Sequence, residues 1–255
     1  MPTKRRQKSF TDFYHVIVKG INKEKIYNQQ REKIYFKKII LKYLKKYDVE
    51  IYAYCIMSNH AHLIIKAELQ VLSLFMAVVL AEYANYYNYK HYRNGHVFQN
   101  RFISECIETD AYYWNCMRYI HLNPVKAGMV RRPERYKYSS MAEYMLEMPG
   151  IIHSNAIKKY TSTFTEYEEF EKFHGARDVQ VFADIKEEMM AKQKDAALLI
   201  AEEICEERNL MTLLQVFEES ELQDSYISRL VKTLKISKKI AKKLCNTLMN
   251  ELQNK

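Results

Sequence analysis

The 255-residue chain has few backbone breakers: 5 glycines, 4 prolines and a single tryptophan. With 48% hydrophobic residues, such a chain is globular rather than disordered or collagen-like. Cysteines are also few, at 55, 106, 116, 205 and 245. Their odd number and the lack of any Cys-x-x-Cys spacing argue against a zinc ribbon or a disulfide framework and fit a reducing compartment. No apolar run approaches the roughly 18 residues of a membrane span. The basic start Met1-Pro2-Thr3-Lys4-Arg5-Arg6 is not followed by the apolar segment of a secretory leader. The expectation is a cytoplasmic, nucleoid-associated protein with no membrane partner.

What is present is charge in blocks. The net charge of +9 hides a basic first part, with 26 Lys/Arg against 13 Asp/Glu in residues 1–160. An acidic stretch comes next, 6 against 17 in 161–228, and then a basic end, 8 against 1 in 229–255. A basic first part carrying many of the 21 tyrosines suggests a polyanion partner whose unpaired bases stack on aromatic faces. Most of those tyrosines are nevertheless ordinary core and rim residues.

The stretch Tyr54-Cys55-Ile56-Met57-Ser58-Asn59-His60-Ala61-His62-Leu63-Ile64-Ile65-Lys66 reads as a strand, a short break and a second strand. Alternation along a strand puts His60 and His62 on one face and Leu63 and Ile65 on the other. Two imidazoles on one face of a buried scaffold can hold one metal ion. An isolated His-x-His is more often a pair of exposed strand histidines.

Around this stretch, the pattern gives a strand over 10–19 ended by Gly20, with Phe13, His15 and Ile17 on one face. It then gives a helix over 31–46, a strand over 49–57 with Val49, Ile51, Ala53 and Cys55 on one face, and a strand over 60–66. A helix over 71–89 and a strand over 102–108 come after these. The order strand-helix-strand-strand-helix-strand predicts a ferredoxin-like, α+β domain: an antiparallel sheet with helices on one side. A further helix starts after Thr109, a good N-cap with Asp110 in the first turn. Pro124 disturbs its end, and Gly128 suits the position just past it. Tyr119 and Asn123 are one turn apart on one face.

Three elements of this sequence then stand in a familiar order: Ser58-Asn59-His60-Ala61-His62-Leu63, Gly95-His96-Val97-Phe98-Gln99-Asn100-Arg101-Phe102, and Arg118-Tyr119-Ile120-His121-Leu122-Asn123-Pro124-Val125-Lys126-Ala127-Gly128. Together they resemble the single-tyrosine HUH transposases, most closely the REP-associated branch. Tyr138-Ser139-Ser140 resembles the family's aromatic-Ser-Ser ending. The resemblance covers roughly residues 10–145. Two departures stand out: Lys19 replaces the usual Arg before Gly, and Tyr138 replaces a Trp.

The resemblance implies an HUH transposase-like domain acting as a metal-dependent strand transferase on hairpin-bearing single-stranded DNA. His60 and His62 would hold Mg²⁺ or Mn²⁺, with Asn123 as the matching third ligand. Tyr119 would attack the phosphodiester to give a 5′-phosphotyrosine link and a free 3′-OH. The bond energy is kept in the covalent intermediate, so rejoining needs no ATP. Lys19, Arg101, Arg118 and Lys126 are candidate DNA contacts, each of which taken alone is an ordinary surface charge. His15 reads as a satisfied strand histidine, and His121, two positions from Tyr119, points elsewhere. Related enzymes include monomers and homodimers, and both states stay open.

Beyond residues 1–148, the pattern suggests an acidic helical connector over 149–223, with helices over 164–173 and 185–207. A basic tail over 224–255 has helix-turn-helix spacing. There Asp224 would cap a helix over 225–234 and Ser237 one over 238–252. Ile240, Ala241, Leu244, Leu248 and Leu252 would face a core, and Lys238, Lys239, Lys242, Lys243 and Asn246 would face outward, where the lysines suit duplex DNA. An amphipathic bundle with a solvated lysine face fits equally well. Three other functions compete with strand transfer. A non-catalytic DNA-binding protein on the same fold gives no reason to keep His60, His62 and Tyr119 together. An RNA-binding module using Tyr52 and Tyr54 leaves the His pair unexplained, and a metal-dependent hydrolase lacks a carboxylate base at suitable spacing.

Overall fold

The computed structural model describes residues 6–175 and 186–253; the first five residues of the basic start and the expected helix start at Ile185 lie outside them. The chain divides into two compact units, 1–175 and 176–255. The expected break after 148 falls inside the first unit, because two further helices, α5 (Ser154–Thr161) and α6 (Tyr167–Gly175), bury Ala156, Tyr160 and Phe170 there. The helix expected over 164–173 is thus α6, shifted by a few residues.

The first unit is a four-stranded antiparallel sheet in the order β2-β3-β1-β4, the expected ferredoxin-like arrangement. Its strands are β1 (Phe13–Lys19), β2 (Glu50–Ile56), β3 (His60–Lys66) and β4 (Ile103–Cys106). β1 is shorter than the alternation suggests because Asp12 has a positive φ of 58°, which breaks extended pairing. β1 pairs β3 with Lys19 opposite His60, Ile17 opposite His62 and His15 opposite Ile64. It pairs β4 with His15 opposite Glu105. His15, His60 and His62 therefore share one face, while Tyr14, Val16, Val18, Leu63 and Ile65 are buried on the other.

One expected face does not hold. In β2, Ile51 pairs Ile65 but Ala53 pairs Ile64. The extra residue, Tyr52, is a bulge, and a one-residue shift moves the rest of the strand to the opposite face. Ala53 and Cys55 consequently join the histidine face and Ile51 does not. The outer edge of β2 is covered by residues 138–140. Ile56 donates its N–H to Tyr138 O at 2.9 Å, and Ser140 donates to Tyr54 O at 2.9 Å.

The crossover helices α1 (Gln30–Leu44) and α2 (Leu69–Lys90) pack together on the face of Tyr54, over whose ring Lys37 of α1 lies at 5.1 Å. Buried Glu32 ties α1 to the end of α2 through Lys90 at 2.7 Å and His91 at 2.8 Å. By length and composition α2 could cross a membrane, with a mean hydropathy of 1.3 over its most apolar window, so the chain carries a longer apolar run than the sequence pattern suggests. In this fold α2 is a core helix, burying Leu72, Phe75, Met76, Val79 and Tyr83.

The opposite face of the sheet receives α3 (Asp110–Lys126). Thr109 caps it, accepting from Tyr112 N at 3.2 Å. Pro124 does not interrupt it: the helix continues to Lys126, because a proline this near the end forfeits one hydrogen bond only. Closure comes at Gly128, whose φ is +67°. Gly128 N bonds Val125 O and Met129 N bonds Pro124 O, each at 2.9 Å, the paired pattern that satisfies terminal carbonyls. The short helix α4 (Met141–Met145) completes the unit.

The second unit is helical: α7 (Lys186–Glu207), α8 (Gln215–Glu218), α9 (Ser220–Leu234) and α10 (Lys238–Gln253). Its core gathers Ala197, Ile200, Phe217, Tyr226, Leu230 and Leu248. Three details differ from the sequence pattern. α9 starts at Ser220, so Asp224 lies inside it, and the expected boundary after 223 cuts a helix. Ile240 is exposed, and Cys245 takes a core position that the pattern gives to neither face. In the turn between α9 and α10, Lys235 adopts the left-handed conformation, φ 52°, which glycine usually supplies. Ser237 starts α10 as expected, its Oγ accepting from Ile240 N at 3.4 Å.

Candidate functional site

The sheet register and α3 converge on one cluster. His60 and His62 lie with ring centroids 4.9 Å apart. The Tyr119 ring meets His62 edge-on at 5.4 Å and His15 at 6.1 Å. Lys126, two turns on along α3, places its ammonium 5.6 Å from the Tyr119 ring centroid. Asn123 sits between them, its Nδ2 donating to Tyr119 O at 3.1 Å. His60, His62, Tyr119 and Asn123 are all buried, Tyr119 with 4% of its surface exposed.

Hydrogen bonds fix the ring nitrogens. Asn59 Oδ1 accepts from His60 Nδ1 at 2.7 Å, so the proton sits on Nδ1 and the lone pair on Nε2. His62 Nδ1 lies 3.1 Å from His15 Nε2, and the far nitrogen of His15 is 3.7 Å from Glu105 Oε2. A carboxylate at that end favours the His15 proton on Nδ1. With the His15 proton on Nδ1, His15 Nε2 accepts from His62 Nδ1–H, and the lone pair of His62 falls on Nε2. Outer partners of this kind orient metal-binding histidines. Sequence reasoning reads His15 as a merely satisfied strand histidine and passes over Glu105 and Asn59. The signal for His15 is its position on the histidine face of β1, one strand from His62.

The remaining candidates separate. Lys19, half-buried, closes β1 opposite His60. Arg101 is exposed in the segment before β4. Arg118 corrects the expectation of a phosphate contact: it is buried, bonds Phe173 O at 3.2 Å and Asn115 Oδ1 at 3.1 Å, and lies over the Phe173 ring, so it ties α3 to α6. Lys238, Lys239 and Lys242 are exposed on α10, in the second unit.

His121 does point elsewhere. Its Nδ1 lies 3.0 Å from His174 Nε2 and its Nε2 2.8 Å from Ser140 Oγ; His174 Nδ1 is held by Phe170 O at 2.7 Å. Burial pushes the pKa of His121 well down, with the nearby His174 adding to the effect, and burial takes that of His174 down to about 4. Both are neutral core residues.

Among the described residues no group of three or more His, Cys, Asp or Glu side chains could hold a metal ion. The two imidazoles of His60 and His62 share one face beside Tyr119, and imidazole donors suit Mn²⁺ better than Mg²⁺.

Residues 8–123 match the family model described as "Transposase IS200 like". No curated protein matches. Among solved structures, a similar chain is described as "Structure of the REP associates tyrosine transposase bound to a REP hairpin"; it is 19% identical, with a TM-score of 0.49, over 60% of this chain and 91% of that one.

Proposed function

Taking residues 8–123 as a domain of the IS200-like transposase family, we propose that the protein cleaves and rejoins single-stranded DNA at hairpin-bearing sites with Tyr119 as its nucleophile. The observation that carries the reading is the meeting of Tyr119 with His62 at 5.4 Å on a face that also holds His60. Tyr119 Oη attacks the phosphorus, the P–O3′ bond breaks, and the phenolic proton ends on the departing 3′-oxygen. The products are a 5′-phosphotyrosine and a 3′-OH, and attack by another 3′-OH reverses the step.

An ordinary tyrosine has a pKa near 10 and is a weak nucleophile at neutral pH. His60 Nε2, His62 Nε2 and Asn123 Oδ1 would hold the divalent ion, Mg²⁺ or Mn²⁺. When bound, that ion stabilises negative charge on the scissile phosphate. Lys126 adds a fixed positive charge beside the Tyr119 ring, suited to a phosphate oxygen. Asn59, His15 and Glu105 keep the two histidines in the tautomers that ligation requires. Lys19 and Arg101 are further DNA contacts near the His60 end of the sheet. Lys238, Lys239 and Lys242 supply a separate basic face for duplex DNA.

The test mixes the protein with labelled hairpin DNA from beside its own gene, with Mn²⁺ or Mg²⁺, and looks for a covalent band on a denaturing gel. A metal-dependent band that disappears in Tyr119→Phe establishes the chemistry. Binding without an adduct, across several hairpins and both metals, replaces this reading with that of a non-catalytic DNA-binding protein.

A further inference from the structure

The second unit sorts its charge by helix. Glu203, Glu206, Glu218 and Glu221 are exposed on α7, α8 and α9, whereas α10 exposes Lys238, Lys239, Lys242 and Lys243. The single acid of α10, Glu251, accepts from Lys194 Nζ at 2.6 Å. The four lysines have no ion-pair partner among the described residues. Lys238 and Lys239 also fall in the first turn of α10, which holds no acidic residue. Cations at the positive end of a helix cost stability, and phosphates beside them would offset that cost.

This charge lies on a stripe opposite the core. Ala241, Cys245 and Leu248, spaced i, i+4 and i+7, are buried in the core of the unit. Lys239, Lys243 and Asn246 repeat that spacing on the far side of the helix and are exposed. Ile240, on the flank of the stripe, is 44% exposed. α10 follows α9 after residues 235–237 alone, with Lys235 left-handed, and α9 buries Tyr226, Ile227, Leu230 and Leu234 in the same core. Two helices on one core, joined by so short a turn, leave the outer face of the second helix free to enter a DNA groove.

We infer that α10 enters the major groove of duplex DNA and reads its sequence. Asn246 offers the donor and acceptor of its carboxamide to an adenine edge, Lys243 donates to a guanine, and Ile240 packs on a thymine methyl group. Lys238, Lys239 and Lys242 hold phosphates, which position the helix without reading sequence. The acidic helices of a second copy would complement the lysines alone, whereas a base-pair edge in the groove also matches Asn246 and Ile240. The inference rests on the duplex-DNA face proposed above and not on strand transfer at Tyr119.

The experiment uses full-length Tyr119→Phe protein, so that binding is read without chemistry. Duplexes with a random central segment are selected for binding and sequenced, and affinities for the selected and a scrambled duplex are measured by fluorescence anisotropy. A motif is expected, and replacing any one contacted base pair should weaken binding about tenfold. Adding Asn246→Ala should weaken binding to the selected duplex and abolish the penalty at one position; Lys243→Ala should abolish it at another. Lys238→Ala should weaken binding to both duplexes alike. The inference is overturned if no motif is selected, or if every penalty survives in both the Asn246→Ala and the Lys243→Ala proteins. It is also overturned if the free protein self-associates through this face, shown by a dimer that Lys243→Glu abolishes. Failure to bind any duplex would bring down the duplex-DNA face itself, a result distinct from binding without a motif.

Discussion

The first unit contains two stacked histidine pairs of nearly the same geometry. His15 and His62 have ring centroids 5.3 Å apart and planes at 18°; His121 and His174 are 5.2 Å apart at 21°. The nitrogen separations are 3.1 and 3.0 Å. One pair lies under the Tyr119 face of α3. The other lies near its other side, against Ser140 and Phe170. The geometry of a pair therefore does not decide what it does; the surroundings do. Around His62 stand a second histidine, a tyrosine and a lysine, whereas around His121 stand a hydroxyl, a backbone-bonded histidine and aromatic rings.

The sharpest way to break this contrast is to remove one member of each pair. His62→Ala is expected to reduce covalent adduct formation to background while leaving the fold intact by circular dichroism. His121→Ala should lower stability by about 2–4 kcal/mol, from a cavity and the lost hydrogen bonds to Ser140 and His174, yet retain the adduct at low temperature. Equal losses of adduct at equal stability would show that the two pairs are not different in kind.

The buried His121–His174 pair should also make stability depend on pH. The folded pKa of His174 is near 4 and that of His121 is also lowered, each against an unfolded value of 6.5. Below pH 6.5 the unfolded chain binds protons that the folded core refuses, so stability is full above that pH. It falls as pH drops from 6.5 towards 4, by about 3 kcal/mol for His174 alone. Urea denaturation at pH 7.5 and 5.0 measures it, and His174→Phe should flatten the slope. A wild-type profile that is already flat over this window would count against neutral burial.

A milder contrast separates two basic residues of α3. Arg118→Lys should cost roughly 1–3 kcal/mol of stability through lost bonds to Phe173 and Asn115, with the salt dependence of DNA binding unchanged. Lys126→Ala should leave stability alone and reduce the slope of log affinity against log salt by about 1. The smallest effect is expected on α10, where Lys239→Ala should weaken duplex binding uniformly across sequences; no change at low salt would reduce that lysine face to a solvated surface.

Much of the scaffold is legible in the sequence because it rests on periodicity. The alternation around His60 and His62, the Thr109 cap and the Gly128 closure are local signals, and the strand order derives from them. The features that escape depend on contacts far apart in sequence. The Tyr52 bulge is visible only once β2 and β3 are paired. His15 meets His62 across 47 positions, and Glu105 joins them through a third strand. Arg118 has the composition of a surface residue but is claimed by a carbonyl on α6, a helix whose sequence reads as part of a connector. The start of α9 ahead of Asp224 escapes the sequence because it carries no capping signal, Glu219 making no side-chain cap.

The 4% exposure of Tyr119 bears on affinity as well as on chemistry. On the proposed reading a phosphodiester must reach the phenol, so the state that reacts would be an opened minority of the population. The apparent dissociation constant for a scissile strand is then the intrinsic one divided by that open fraction. A state populated at about 1% weakens apparent binding about a hundredfold. Substitutions that loosen the contacts over Tyr119 should therefore tighten DNA binding even as they destabilise the fold, and on the proposed reading the protein's restraint towards stray single strands would be set by that equilibrium.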